Sequence, residues 1–99
     1  LIITKHKDKS FFSTLQFRKQ GFMKSKVDLF VINKVREKRK ELGISQRGLA
    51  AILECSPSFI GQVESDKFDI KYSVHQAFLI AQFFDCSPAD FFPPINFDI

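Results

Sequence analysis

The chain has 99 residues, of which 44% are hydrophobic and 26% are charged. These values are typical of one small globular domain with a modest core, and they favour one domain over two in these 99 residues. The net charge of +4 is uneven, because residues 1–47 hold 13 basic and 4 acidic groups whereas residues 48–99 hold 2 and 7. This asymmetry indicates a basic surface for nucleic acid or an anionic membrane, or else a solvated basic tail.

Several classes of protein are disfavoured by what the sequence lacks. Cys55 and Cys86 are too few and too far apart for a disulfide scaffold or a zinc cluster, so we expect small buried hydrophobic residues in a reducing compartment. No apolar run approaches the roughly 18–20 residues of a membrane span or resembles a secretory signal. No catalytic nucleophile, metal-ligand spacing or phosphate-binding glycine loop is evident. We expect a cytoplasmic, non-enzymatic protein without cofactor or metal.

The first 26 residues differ from the rest, with seven basic groups, one acid and aromatic residues of no clear period. We expect a poorly ordered basic arm or a loosely docked extension, and binding to a membrane surface is a weaker alternative for it. Met23 is the single methionine, so it is a candidate translation start that would make residues 1–22 upstream sequence. A domain over residues 27–94 and a tail over residues 95–99 are expected to follow.

Apolar spacing predicts helices and no strands after residue 26. The first helix is expected over residues 28–42, with Asp28 as its N-cap and Gly43 as the left-handed residue that ends it. The residues expected on its buried stripe are Leu29, Ile32, Val35 and Leu42.

Two short helices are predicted next, over residues 46–53 and 57–65, and three residues join them. Ser45 and Ser56 are natural N-caps, and Pro57 suits the first helical position. Gly48 either weakens the first of the two or marks a close contact. A junction this short forces a sharp crossing, as in a helix-turn-helix. The second helix presents one small, polar stripe of residues spaced i, i+3, i+4 and i+7, which comprises Ser58, Gly61, Gln62 and Ser65.

A fourth helix begins at the capping box of Ser73 and Gln76, and a fifth element begins at Ser87 with Pro88 behind it. The apolar residues expected to face the core from the fourth helix are Val74, Ala77, Phe78, Ala81 and Phe84. Either Phe91 or Phe92 is expected to fill the core. Three alternatives are open for the apolar residues of the tail. They form an edge strand, pack on a second subunit or fold back on the domain, and they are Ile95, Phe97 and Ile99.

Four runs of this sequence together resemble the lambda-repressor-like (XRE/Cro) helix-turn-helix domain. They are residues 35–46 (VREKRKELGISQ), 49–53 (LAAIL), 56–64 (SPSFIGQVE) and 85–92 (DCSPADFF), within a resemblance that covers residues 29–92. The run 56–65 is most similar to small single-domain regulators of the Bacteroidetes type. The resemblance implies an all-α fold of five helices and sequence-specific binding of double-stranded DNA, usually as a homodimer in the prokaryotic nucleoid.

The resemblance also implies roles for individual residues. It makes residues 46–53 a scaffold helix and residues 57–65 a recognition helix. Gln46 is placed beside a DNA phosphate, Ser58 and Gln62 become base readers, and Pro57 and Gly61 lie at the groove surface. Arg39 is paired with Glu64, or else both are exposed charges of little consequence. The further residues expected to bind DNA around the recognition helix are Arg47, Ser56, Lys67, Lys71 and Tyr72.

The sequence departs from the family pattern at two places. Glu54 stands where the turn usually has glycine, and the stripe of the recognition helix has no Arg or Lys for guanine contacts. These departures leave room for an alternative function, in which the same fold is an antitoxin-like or other protein-interaction module. Its acidic C-terminal half and apolar tail would then hold a protein partner.

Overall fold

The computed structural model describes residues 24–99, and these contain four α-helices, one 3₁₀ helix and no strand. The elements in chain order are α1 (Lys26–Glu41), α2 (Gln46–Leu53), α3 (Pro57–Glu64), α4 (Val74–Phe84) and the 3₁₀ helix (Pro88–Phe91). The predicted all-α class is confirmed, and the fifth element is a single 3₁₀ turn. The expected arm falls largely on residues 1–23, which lie outside the described residues.

Helix α1 begins two residues earlier than predicted because Ser25, and not Asp28, is its N-cap. The Ser25 hydroxyl accepts the Asp28 amide at 3.0 Å, and the Asp28 carboxylate accepts the Ser25 amide at 2.9 Å. Asp28 is therefore the third residue of a capping box. Gly43, with φ of 71°, turns the chain at the other end, as predicted.

One apolar core joins all five elements. Each element contributes at least one residue that is at most 1% exposed, and Val35, Leu49, Ile60, Ile80 and Phe91 are the largest of these. Phe91 meets Phe84 edge to face, with 6.4 Å between ring centroids. Of the two candidates for filling the core, Phe91 does so, whereas Phe92 is exposed.

Three of the residues predicted to be buried lie at the surface instead. Leu42 is 52% exposed because α1 has ended there, and Ile44 packs against the core after the turn. Val74 and Phe78 are exposed because α4 buries a neighbouring stripe, which comprises Ala77, Ile80, Ala81 and Phe84. Apolar side chains nearly encircle α4, so periodicity alone does not select the inward stripe.

The C-terminal tail folds back onto α1 through one aromatic contact. Phe97 meets Phe30 edge to face at 5.4 Å between centroids, whereas Ile95 and Ile99 are exposed. Neither of these two isoleucines belongs to a strand in the described chain. Of the three alternatives for the tail, folding back on the domain therefore holds for Phe97.

Candidate nucleic-acid interface

The junction between α2 and α3 is a three-residue turn built by local chemistry. Glu54 is the C-cap of α2 in the left-handed conformation, with φ of 55° and ψ of 45°. The Cys55 amide donates to the Ala50 carbonyl at 2.9 Å, which completes the helix end. Ser56 then caps α3 by accepting the Phe59 amide at 3.1 Å, and Pro57 is the first helical residue. The turn thus forms although a glutamate stands at its left-handed position.

Close packing holds α2 against the preceding segment and against α3. Ala50, only 1% exposed, is a small residue of the core to which both helices contribute. A Cβ on Gly48 would lie 3.1 Å from Cγ2 of Ile44 and 3.4 Å from the Ser45 hydroxyl. Gly48 therefore marks a close contact, one of the two explanations that its sequence position allowed.

A buried ion pair connects α1 with the last residue of α3. The guanidinium of Arg39 donates to both carboxylate oxygens of Glu64, from Nε at 3.0 Å and from its second terminal nitrogen at 2.9 Å. Its remaining terminal nitrogen donates to the Ile44 carbonyl at 2.8 Å. The two charged side chains are only 7% and 3% exposed. The pair thus has a fork-to-fork geometry in a partly desolvated site, unlike an exposed surface pair.

Gln46 joins this polar cluster from the first residue of α2. Its side-chain nitrogen donates to the Glu64 carboxylate at 3.0 Å. Its amide oxygen lies 3.6 Å from the position that a Cβ on Gly61 would occupy. Gln46 remains exposed, so its amide is oriented by Glu64 while it faces solvent beside α3.

The stripe of α3 predicted from the spacing is small, polar and partly exposed. Ser56, Pro57 and Ser58 are exposed, whereas Gly61 and Gln62 are half-buried. At Gly61 the backbone is close to the surface, because a Cβ built there would contact only the flexible end of the Gln46 side chain. A flat partner could therefore approach the α3 backbone closely along this stripe.

The expected flanking residues have different environments. Arg47 and Lys67 are exposed, and Lys71 is exposed with carboxylates at 3.9 Å (Asp28) and 3.7 Å (Asp69) from its ammonium group. Lys71 therefore balances part of the acidic charge around it.

Tyr72 does not suit the phosphate contact expected of it. Its hydroxyl is buried and has no hydrogen-bond partner among the described residues, and its ring meets Phe59 edge to face at 6.3 Å. Burial, assisted by the Glu64 charge, raises the pKa of Tyr72 above its usual range. The expectation is corrected because an apolar ring next to the core favours packing over exposure.

Two basic residues at this site were not predicted. Nε of Arg36 lies 3.7 Å from Oε1 of Glu64, and the Arg36 side chain is 45% exposed. Its position one turn before Arg39 on α1 is the sequence feature from which this contact could have been predicted. Lys24 donates to the Val63 and Ser65 carbonyls, both at 2.7 Å. No local pattern reveals that contact, because 39 and 41 residues separate the partners.

Other kinds of site are not found in the described part of the chain. Residues 24–99 contain no group of three His, Cys, Asp or Glu residues placed to hold a metal ion. None of their helices is long and apolar enough to cross a membrane. A groove of about 660 Å³ opens between the end of α2 and α4, and Ile52, Phe59 and Leu79 are among the residues that line it. No residue of the polar stripe of α3 lines this groove.

A family model for helix-turn-helix domains matches residues 35–91, which is more than half of the chain. The chain therefore belongs to the XRE or lambda-repressor-like helix-turn-helix family, as its sequence motifs suggested. This is a family of DNA-binding domains. Comparison with curated proteins and with solved structures gives no match.

Proposed function

We propose that this protein is a sequence-specific transcriptional regulator that reads double-stranded DNA with α3. The observation that carries the proposal is the geometry of the α3 stripe. The stripe is small, polar and partly exposed, and Glu64, the last residue of α3, is held by Arg39 and Gln46. A helix that enters the major groove needs such a surface, because its backbone must approach the base edges closely.

Two side chains on this stripe carry the proposed base contacts. The Gln62 amide has the donor and acceptor that match the N6 and N7 positions of adenine, and the Ser58 hydroxyl can act as donor or acceptor. Pro57 and Gly61 allow the groove surface to come close to α3. Because α3 offers no arginine or lysine on its stripe, its preference is for adenine over guanine.

The phosphate contacts come from residues beside the stripe. Gln46, Arg47, Lys67 and Lys71 are the proposed contacts, together with the backbone at Ser56 at the start of α3. Residues 27–99 carry 8 basic and 10 acidic groups, so bulk attraction does not account for binding by the domain. Affinity must then depend on a few well-placed contacts, and it should fall steeply as salt is added.

The proposal extends to the assembly and setting of the protein. Two copies would bind as a homodimer to half-sites about one helical turn apart. The family membership supports a non-enzymatic role in the cytoplasm, on the prokaryotic nucleoid. The similarity of residues 56–65 supports a small regulator of the Bacteroidetes type.

Selection of bound sequences from random double-stranded DNA tests this function directly. An enriched palindrome would support sequence-specific binding by a dimer, and the absence of any enriched sequence would contradict the proposal. Gln62→Ala should then cost about 1–3 kcal/mol on the selected sequence and little on random DNA. Gln82→Ala on the exposed face of α4 is the matched control and should change neither. Equal losses on both DNAs would remove Gln62 as a base reader.

A second candidate function is an antitoxin-like or other protein-interaction module. The exposed side chains of Ile95 and Ile99 favour it, because two isoleucines in solvent suit an apolar partner surface. Replacing both with serine keeps the Phe97 contact with Phe30. Loss of a co-purifying partner with unchanged DNA binding would support this function, and unchanged behaviour in both assays would count against it.

A further inference from the structure

Lys24 reaches from the segment before α1 to the end of α3. Its ammonium group donates to the Val63 carbonyl and to the Ser65 carbonyl, both at 2.7 Å. We propose that Lys24 is a positioning residue for α3, and that it fixes the angle at which the recognition helix meets DNA. This inference rests on the proposed DNA-binding function.

The chemistry of a helix end explains why an ammonium group binds there. The last carbonyls of an α-helix have no intrahelical partner, and the helix dipole places partial negative charge on them. Ser65 is the C-cap of α3 and leaves the helical conformation, with φ of −96° and ψ of 140°. Lys24 supplies two of its three N–H donors to carbonyls at this end. The contact therefore stabilises the point where α3 stops.

The surroundings of Lys24 show that this contact is partly desolvated. Burial lowers the pKa of Lys24, while the charges of Asp66, Asp69 and Asp28 act in the opposite direction. Two of these carboxylates belong to the connection between α3 and α4, and Asp28 belongs to the first turn of α1. The ammonium group thus bonds the end of α3 and lies in the electrostatic field of acidic groups from α1 and from the connection after α3.

Lys24, just before α1, and Arg39, near the end of α1, hold the same turn of α3. Arg39, in the last turn of α1, binds the Glu64 side chain, whereas Lys24 binds the backbone on either side of Glu64. Helix α1 has 16 residues, and a helix of that length spans about 24 Å. The two anchors approach this one turn of α3 from opposite directions along α1, so together they resist its displacement better than either contact alone. The side chain of Lys24 therefore affects the base contacts of Gln62 without touching DNA.

Three variants of the whole 99-residue chain test this role. Lys24→Met removes the charge at similar length, Lys24→Arg keeps a donor group, and Lys26→Met removes a charge from an exposed lysine two residues away. Hydrogen exchange should be about tenfold faster at the backbone amides of residues 62–66 in Lys24→Met, because a charged hydrogen bond is lost. Lys26→Met should leave exchange unchanged, and Lys24→Arg should restore most of the protection.

DNA binding separates positioning from direct contact. Lys24→Met should weaken binding to the selected sequence at least fivefold more than binding to random DNA, with the salt dependence of wild type. A loss of about 0.9 from the slope of log K against log salt would make Lys24 a phosphate ligand and overturn the proposal. Faster exchange throughout the domain with unchanged specificity would also overturn it.

The failure of this proposal is distinguishable from failure of the DNA-binding function. If wild type selects no DNA sequence, the proposed function fails, and positioning of the recognition helix on DNA fails with it. If wild type selects a sequence and Lys24→Met binds it as tightly as Lys26→Met does, only the positioning role of Lys24 fails.

Discussion

Removal of Glu64 is expected to be among the most destabilising single changes in the polar part of this domain. Glu64 is 3% exposed and accepts hydrogen bonds from Arg39 and Gln46. In Glu64→Met, the Arg39 guanidinium would keep its hydrogen bond to the Ile44 carbonyl and lose its counterion while 7% exposed. Breaking a buried pair from one side costs about 3–5 kcal/mol, because the remaining charge is not compensated.

The reverse change should cost less, since the environment of the pair is asymmetric. In Arg39→Met, Glu64 would still accept from Gln46 and would still lie near the half-exposed Arg36. In the double variant no uncompensated charge is left at the centre, and apolar replacement of a buried pair is often close to neutral. The double variant should therefore be much more stable than the sum of the two single losses indicates.

Urea unfolding at neutral pH measures these differences, as long as the dependence on urea is the same for all variants. Lys34 and Glu37 provide the control, as an i, i+3 pair on the same helix at 3.8 Å with side chains 46% and 66% exposed. Its removal should cost below about 0.5 kcal/mol. If Glu64→Met costs as little as the control and the double variant is additive, the pair contributes as an exposed surface pair does, and our reasoning is refuted.

Two further predictions concern packing at the interface. Gly61→Ala should stabilise the fold by up to about 1 kcal/mol through helix propensity, since its Cβ would meet only Gln46 at 3.6 Å. The same change should weaken binding to the selected DNA. Gly48→Ala should gain less stability in urea unfolding, because its Cβ would lie 3.1 Å from Ile44. Equal gains would contradict the difference in packing. Tyr72→Phe should be neutral or stabilising, because it removes a buried hydroxyl without a partner in the described chain. Because burial raises the pKa of Tyr72 in the folded protein, the stability that Tyr72 contributes is fully present below about pH 10, where unfolded tyrosine begins to ionise. Above that pH the free energy of unfolding falls, since only the tyrosine of the unfolded chain ionises. Tyr72 is the single tyrosine, so ultraviolet absorbance reports on it alone, and ionisation near pH 10 in the folded protein would refute its burial.

The helix boundaries could largely be predicted because the chemistry that sets them is local. Four serines cap the four elements after α1, as their sequence positions indicate, and they are Ser45, Ser56, Ser73 and Ser87. Each needs only a hydroxyl and an amide two or three residues later. The start of α1, which was predicted at Asp28, follows the same rule, since Ser25 three residues earlier is the N-cap.

The residues that orient α3 could be predicted only in part because they interact across the chain. Arg39 and Glu64 were paired through the family resemblance, and neither periodicity nor composition indicated that they would meet. The inward face of α4 and the burial of Tyr72 depend on which neighbours cover them, a property of the assembled core. Lys24 contacts Val63 from 39 residues away, at the border of a segment whose composition suggests an arm.

The two left-handed turns that form at residues other than glycine show which features the local sequence determines and which the rest of the fold determines. Glu54 and Asp85 both have positive φ, and each is followed by Cys, Ser and Pro. The amides of Cys55 and Cys86 bind carbonyls five residues earlier, at 2.9 and 3.0 Å. The first turn leads into an eight-residue α-helix and the second into a four-residue 3₁₀ helix.

These two turns have nearly the same chemistry, so the difference arises from the residues on the C-terminal side of each turn. After the second turn Phe91 enters the core and Pro93 follows the C-cap Phe92, so the element is limited to one 3₁₀ turn. After the first turn Ile60 and Val63 bury one side of α3, while Glu64 and the backbone around it are held by α1. The turn therefore only begins α3, and the last turn of α3 is held by Arg39 near the end of α1 and by Lys24 just before its start.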